Sequence, residues 1–184
     1  MLALPSFLYP QDALGVTAHS LEEMVGKAER IVHGTVVNTR VEPHPRFQNL
    51  TTLLVTIRVR EALKGEPGEL LEFRQFVWNF TNQANAAGYN KGQELLILLN
   101  PVSAYGLTSP VGLHSGLFRI EQAGQEPVAT NGNANAGLFS TSQQRPVTSG
   151  TQQVTSSVQT TTGGAVPLTE LKQAIRALAG NESP

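Results

Sequence analysis

The stretch "NLTTLLVTIRVREALKG", residues 49–65, alternates more strictly than any other part of the chain. Leu53, Val55, Ile57 and Val59 fall on one side of an extended backbone, and Thr52, Thr56, Arg58 and Arg60 on the other. A period of two over this length rules out an amphipathic helix. It predicts a strand with one buried and one wet face, the habit of antiparallel sheets. The rest of the chain must then supply partner strands and a cover for the buried side.

The partners are readable. "RIVHGTVVNTRVE" precedes it, and Gly34 inside that run predicts a bend or bulge that curls a sheet. "KGEPG" breaks the chain before "ELLEFRQFVW" returns. There Leu71, Phe73 and Val77 share a face with Gln75, while Leu70, Glu72, Arg74, Phe76 and Trp78 share the other. "KGQELLILLNP" carries a near-continuous apolar run, which predicts a strand buried on both sides. "HSGLFRIE" is a fifth strand and "EPVATNG" a short sixth.

Two helices frame these strands. In "SLEEMVGKAER", Ser20 and Glu23 have capping-box spacing, and Leu21, Met24, Val25 and Ala28 form one apolar stripe. In "VPLTELKQAIRALAG", Leu168, Leu171, Ile175 and Leu178 form another, and Gly180 suits its C-terminal end. A helix that short is marginal alone, so it should dock on the domain.

The residues "AERIVHGTVV", "VTIRVREALKG" and "YNKGQELLILL", in this order between two helices, resemble the OB-type barrel in its netrin-like, or metalloproteinase-inhibitor-like, variant. The layout is similar to a group of uncharacterised exported bacterial proteins, over roughly residues 20–120 and the final helix. The resemblance implies a mainly β fold: a five- to six-stranded OB-like (netrin-like) barrel with a short helix before the first strand and a C-terminal helix. The inhibitor members use disulfides and an N-terminal cysteine that chelates a protease's zinc. With no cysteine in this chain, that mechanism does not transfer, and a barrel alone does not decide function.

On this reading residues 1–19 are an N-terminal arm or a signal remnant, and 20–139 the OB-like β-barrel domain. Residues 140–164 are a Ser/Thr/Gln-rich flexible segment, and 165–184 the C-terminal helix docking on the barrel. Leu2–Leu8 is apolar and Ala13-Leu14-Gly15 has small residues spaced as at a cleavage site, but no basic stretch precedes them. In the polar segment 12 of 25 residues are Ser or Thr and Arg145 is the sole charge, too little apolar surface to offset ordering entropy.

Charged residues make up 15% of the chain, against about 25% for an ordinary soluble domain. Ser, Thr, Asn, Gln and Gly fill the difference, a balance common on exported proteins. The net charge of −1 supplies no cationic surface, so nucleic acid is not an expected partner. No apolar run reaches the ~20 residues that span a bilayer.

No constellation points to catalysis. His19, His33, His44 and His114 lack the spacing of a metal motif, although His33 and His114, both on predicted strands, would be able to approach each other in a barrel. Asp12 is the sole aspartate, and no G-x-S-x-G is present. Glu61, Glu66, Glu69 and Glu72 surround a turn, without the setting of a glycosidase pair. "NGNANAG" and "TTGG" lack the phosphate-loop lysine. No catalytic residue, metal or cofactor is therefore assigned.

The candidate binding residues are Arg74, Phe76, Trp78, Phe80 and Tyr89, aromatics with one cation around an amide-rich loop. They form a recognition rim, or else Phe76 and Trp78 receive the closing helix; packing is the commoner use of such aromatics. The expected role is a non-enzymatic exported binding or assembly module, at the cell envelope or outside it. Its partner would be a protein or a second copy, with carbohydrate a further option. A protease inhibitor or accessory protein, and a small carbohydrate-active hydrolase, are the alternatives.

Overall fold

The computed structural model describes residues 19–77, 88–140 and 163–180. The expectations for residues 1–18, for Trp78 and Phe80, and for 141–162 of the polar segment lie outside them.

The alternating segment forms β2 (Thr51–Lys64), paired antiparallel along nearly its whole length with β1 (Arg30–Pro43). Their register shifts beside Gly34, where a bulge was expected. A β-carbon at Gly34 would lie 2.4 Å from the Arg58 carbonyl oxygen, so the close approach of the two strands requires glycine there. β3 (Leu70–Phe76) continues on the far side of β2, and β4 (Glu94–Leu99) on the far side of β1. β5 (Leu117–Ala123), β6 (Glu126–Asn131) and a two-residue β7 (Val166–Pro167) complete one antiparallel sheet, ordered β3-β2-β1-β4-β5-β6-β7.

The sheet is open, which corrects the barrel expectation: among the described residues no ladder joins β3 to β5, β6 or β7. The packing supplies the physical reason. A barrel wall has one interior, whereas this sheet has a core on each face. On β4, Leu96 and Leu98 enter one core while Leu95, Ile97 and Leu99 enter the other. The double-sided burial expected of this strand is real, and it makes β4 the middle of a layered structure.

The first core is roofed by the helices. Ser20 caps α1 (Leu21–Lys27) by accepting from the Glu23 N–H at 3.2 Å. Leu168, Leu171 and Ile175 of α2 (Leu168–Gly180) join Met24 and Val25 over Ile31, Phe118 and Ala129. The closing helix thus docks as expected, but not on Phe76. The second core, on the opposite face, where the described residues place no helix, is built from Val55, Ile57, Leu71, Phe73 and Tyr89 with the odd-numbered residues of β4.

Candidate functional site

The C-terminal end of β3 and the start of β5 do not pair; they face each other across a hollow of about 430 Å³. Gln75 and Phe76 line it from β3, Leu117 from β5, and Tyr89 from the segment before β4. Two loops supply the remaining wall. In the first, Ser103 and Leu107 close a tight turn, their N–H and carbonyl 2.9 Å apart, with Gly106 in the left-handed region. The Thr108 N–H then donates to the Arg74 carbonyl at 2.9 Å, fastening this loop to the edge of β3. The second loop begins where Pro110 bridges Leu99. It holds Leu113 at φ 53°, a conformation that a bulky side chain rarely adopts, with 56% of its surface exposed.

Tyr89 sits at the boundary between core and hollow. It is 1% exposed, packs edge-on against Phe73 with centroids 5.7 Å apart, and donates from its hydroxyl to Gln75 Oε1 at 3.1 Å. Burial pushes its phenol well above the ordinary value, so it remains a neutral donor. Phe76 lines the hollow. Arg74 points away from Leu71 and Phe73, donating to Glu42 Oε1 and to Thr52 Oγ1, each at 2.8 Å. That pairing holds the Glu42 carboxyl below the usual range. Of the five residues expected to form a rim, the structure brings Phe76 and Tyr89 together, assigns Arg74 to an ion pair, and leaves Trp78 and Phe80 outside the described residues.

Sequence reasoning missed most of the wall. Leu107, Pro110, Leu113 and His114 come from two loops whose residues carry no period to read. It also missed an exposed aromatic cluster beside them. Tyr105 is 59% exposed and meets Phe47 edge-on at 5.6 Å. Its carbonyl lies 2.8 Å from His44 Nε2, and the Arg46 guanidinium donates to Ala104 O at 2.8 Å. The β1–β2 hairpin tip and the loop bearing Leu107 are thereby locked together.

His33 and His114 do not meet. His114 lines the hollow and packs against Gly132. His33 lies under α2, between Glu94 Oε1 at 2.7 Å and Lys172 Nζ at 2.8 Å. An ammonium can only donate, so the His33 Nδ1 accepts and its Nε2 carries the proton given to Glu94. Lys172 also donates to Glu61 at 2.7 Å; Arg176 pairs with the same carboxylate, and Arg60 with Glu94 at 3.1 Å. Burial lowers the His33 pKa, and the Glu94 hydrogen bond opposes it only in part. Burial raises Glu61, but its bonds to Lys172 and Arg176 outweigh that and leave it lowered. This cluster clamps the helix and is not part of the wall of the hollow.

"NGNANAG" forms a self-bonded turn. Asn131 Oδ1 accepts from the N–H groups of Asn133 and Asn135, and Asn135 Nδ2 donates to Ala129 O and Gly164 O. Among the described residues no three His, Asp or Glu side chains gather as metal ligands. No helix of the described residues is long and apolar enough to cross a membrane. Compared with protein-family models, curated proteins and solved structures, the chain has no match.

Proposed function

We propose that the chain is a non-enzymatic binding module whose ligand site is the hollow between β3 and β5. One observation carries this: a cavity of about 430 Å³ with Phe76, Tyr89, Leu107, Pro110 and Leu117 in its apolar wall and Gln75, Ser103, Thr108, Ser109 and His114 as its polar groups. That size and that mixture suit a pocket that desolvates an apolar group while polar atoms orient it. Burying a group of leucine size there contributes about 1.5–3 kcal/mol. The wall residues come from a strand edge and two hydrogen-bonded loops, so the cavity exists before any ligand arrives.

The low charge and the surface rich in amides and hydroxyls support placing such a module at the cell envelope or outside the cell. The likeness to uncharacterised exported bacterial proteins, over roughly residues 20–120 and the final helix, belongs to the same proposal. The occupant is a small molecule or a side chain presented by a partner protein. Carbohydrate has one observation in its favour: Tyr105, exposed and braced by Phe47, offers an aromatic face of the kind sugars stack on.

Titration of the isotope-labelled protein with indole, followed by amide chemical shifts, tests the site. The expected shifts centre on Gln75, Leu107, Leu113 and Leu117. Shifts centred on α2, or spread without a focus, would overturn the assignment.

A further inference from the structure

The hollow between β3 and β5 does not end at Leu117. Both Leu117 and His114 also line a second hollow of about 440 Å³, which adds Arg119, Glu121, Thr130 and Asn131. The two adjoin across that shared wall, the first more apolar and the second more polar, and are taken together as a cleft. Arg119 stands at the junction. A β-carbon on Gly88 would come within 3.0 Å of its Nη2 and 3.3 Å of the Leu117 side chain. Its guanidinium thus lies against the backbone immediately before Tyr89, beside the first hollow.

The other well-placed guanidiniums are spoken for. Arg60 holds Glu94, Arg74 holds Glu42 and Arg176 holds Glu61. Arg119 makes no hydrogen bond or ion pair among the described residues, although it is partly immobilised by its packing on Gly88. An exposed fork of donors next to an apolar cavity, with no counter-charge bonded to it among the described residues, is suited to a carboxylate, which it can grip through two parallel bonds. Glu121, on the same strand face and in the same hollow, disfavours a doubly charged group such as a phosphate monoester.

We propose that the cleft takes a small amphiphilic monocarboxylate, its apolar body in the hollow of Tyr89 and Phe76 and its carboxylate on Arg119. This rests on the binding reading above and names the class of ligand. The carboxylate contributes orientation and selectivity, and the apolar body most of the affinity.

Isothermal titration with 4-phenylbutanoate and with 4-phenylbutan-1-ol separates the two contributions. The acid should bind about tenfold more tightly than the alcohol, as a charge-assisted pair predicts. Arg119→Gln, a change at an exposed position, should remove that preference and leave the alcohol unaffected. Equal affinity for acid and alcohol, or an unchanged preference in Arg119→Gln, overturns the carboxylate assignment while leaving an apolar cleft in place. Binding of neither compound overturns it too, and the indole shift map then shows whether the cleft itself is a site.

Discussion

The two faces of the sheet solve the same problem differently. Both must cover leucines projecting from β4, yet among the described residues one is roofed by two helices and the other by loops. Under the helices, apolar contact is continuous and the rim is clamped by Lys172, His33, Glu61 and Glu94. On the other face the cover that the described residues supply leaves a gap, the cleft. A face closed by helices is committed to stability; a face closed by loops retains room for a ligand.

Core truncation should separate the faces most strongly. Ile175, on the buried face of α2, is fully covered, and Ile175→Ala should cost about 2–5 kcal/mol by removing contact that cannot be refilled. Leu107→Ala, in the half-buried wall of the cleft, should cost less than about 1 kcal/mol. Urea unfolding of the two variants checks both values. Similar losses would mean that the loops are as integral to the fold as the helix.

The clamp should come next. Lys172 is 14% exposed in its side chain and gives up two hydrogen bonds in Lys172→Met, at a cost of about 1–2 kcal/mol. Its effect reaches His33, whose pKa lies below the ordinary 6.5 chiefly through burial, with the Lys172 charge adding to the lowering. Because the folded value is below the unfolded one, the unfolded chain takes up the proton first as pH falls. The contribution is thus fully present above pH 6.5 and is lost as pH drops through that value towards the folded pKa. The urea midpoint should accordingly fall between pH 7.5 and 5.5, less steeply in His33→Gln. Lys172→Met, by removing a neighbouring positive charge, should raise the His33 pKa and narrow the window. Glu61 acts in a separate range: its lowered pKa gives stability present above the ordinary 4.5 and lost below it. An unchanged midpoint from pH 7.5 to 5.5 would show that His33 does not titrate against the fold.

The helix-covered face was the more legible in sequence, because its determinants are periodic. The Ser20 cap and the stripe Leu168, Leu171, Ile175 follow from spacing alone; the alternation of β2 does too, but it serves the other core. The run in β4 was legible as doubly buried, but a barrel has a single interior, and only the assembled sheet shows which leucine serves which core. The cleft was nearly illegible. Phe76 and Tyr89 stood out as aromatics, yet Leu107, Leu113 and His114 converge through turns fixed by backbone hydrogen bonds that no pattern announces. The Asn131–Asn135 turn shows the same limit. Its sequence shows only the lack of a phosphate-loop lysine, yet its amides bond one another and Gly164, just ahead of β7.

The smallest expected effect is the most discriminating. Leu113 is exposed, apolar and held at φ 53°, where an L-residue carries roughly 1–2 kcal/mol of steric cost. A lone exposed leucine needs no explanation, but one held against its backbone preference at the mouth of a cavity does. Asparagine tolerates that conformation, so Leu113→Asn should leave stability unchanged or raise it by about 0.5–1 kcal/mol. If the leucine is there to meet a ligand, the same substitution should weaken 4-phenylbutan-1-ol by about fivefold, in line with part of one side chain's burial. Raised stability with weakened binding would show strain held for function on the loop-covered face. Raised stability with unchanged binding would place Leu113 outside the site and confine the cleft to Tyr89, Phe76 and Leu117.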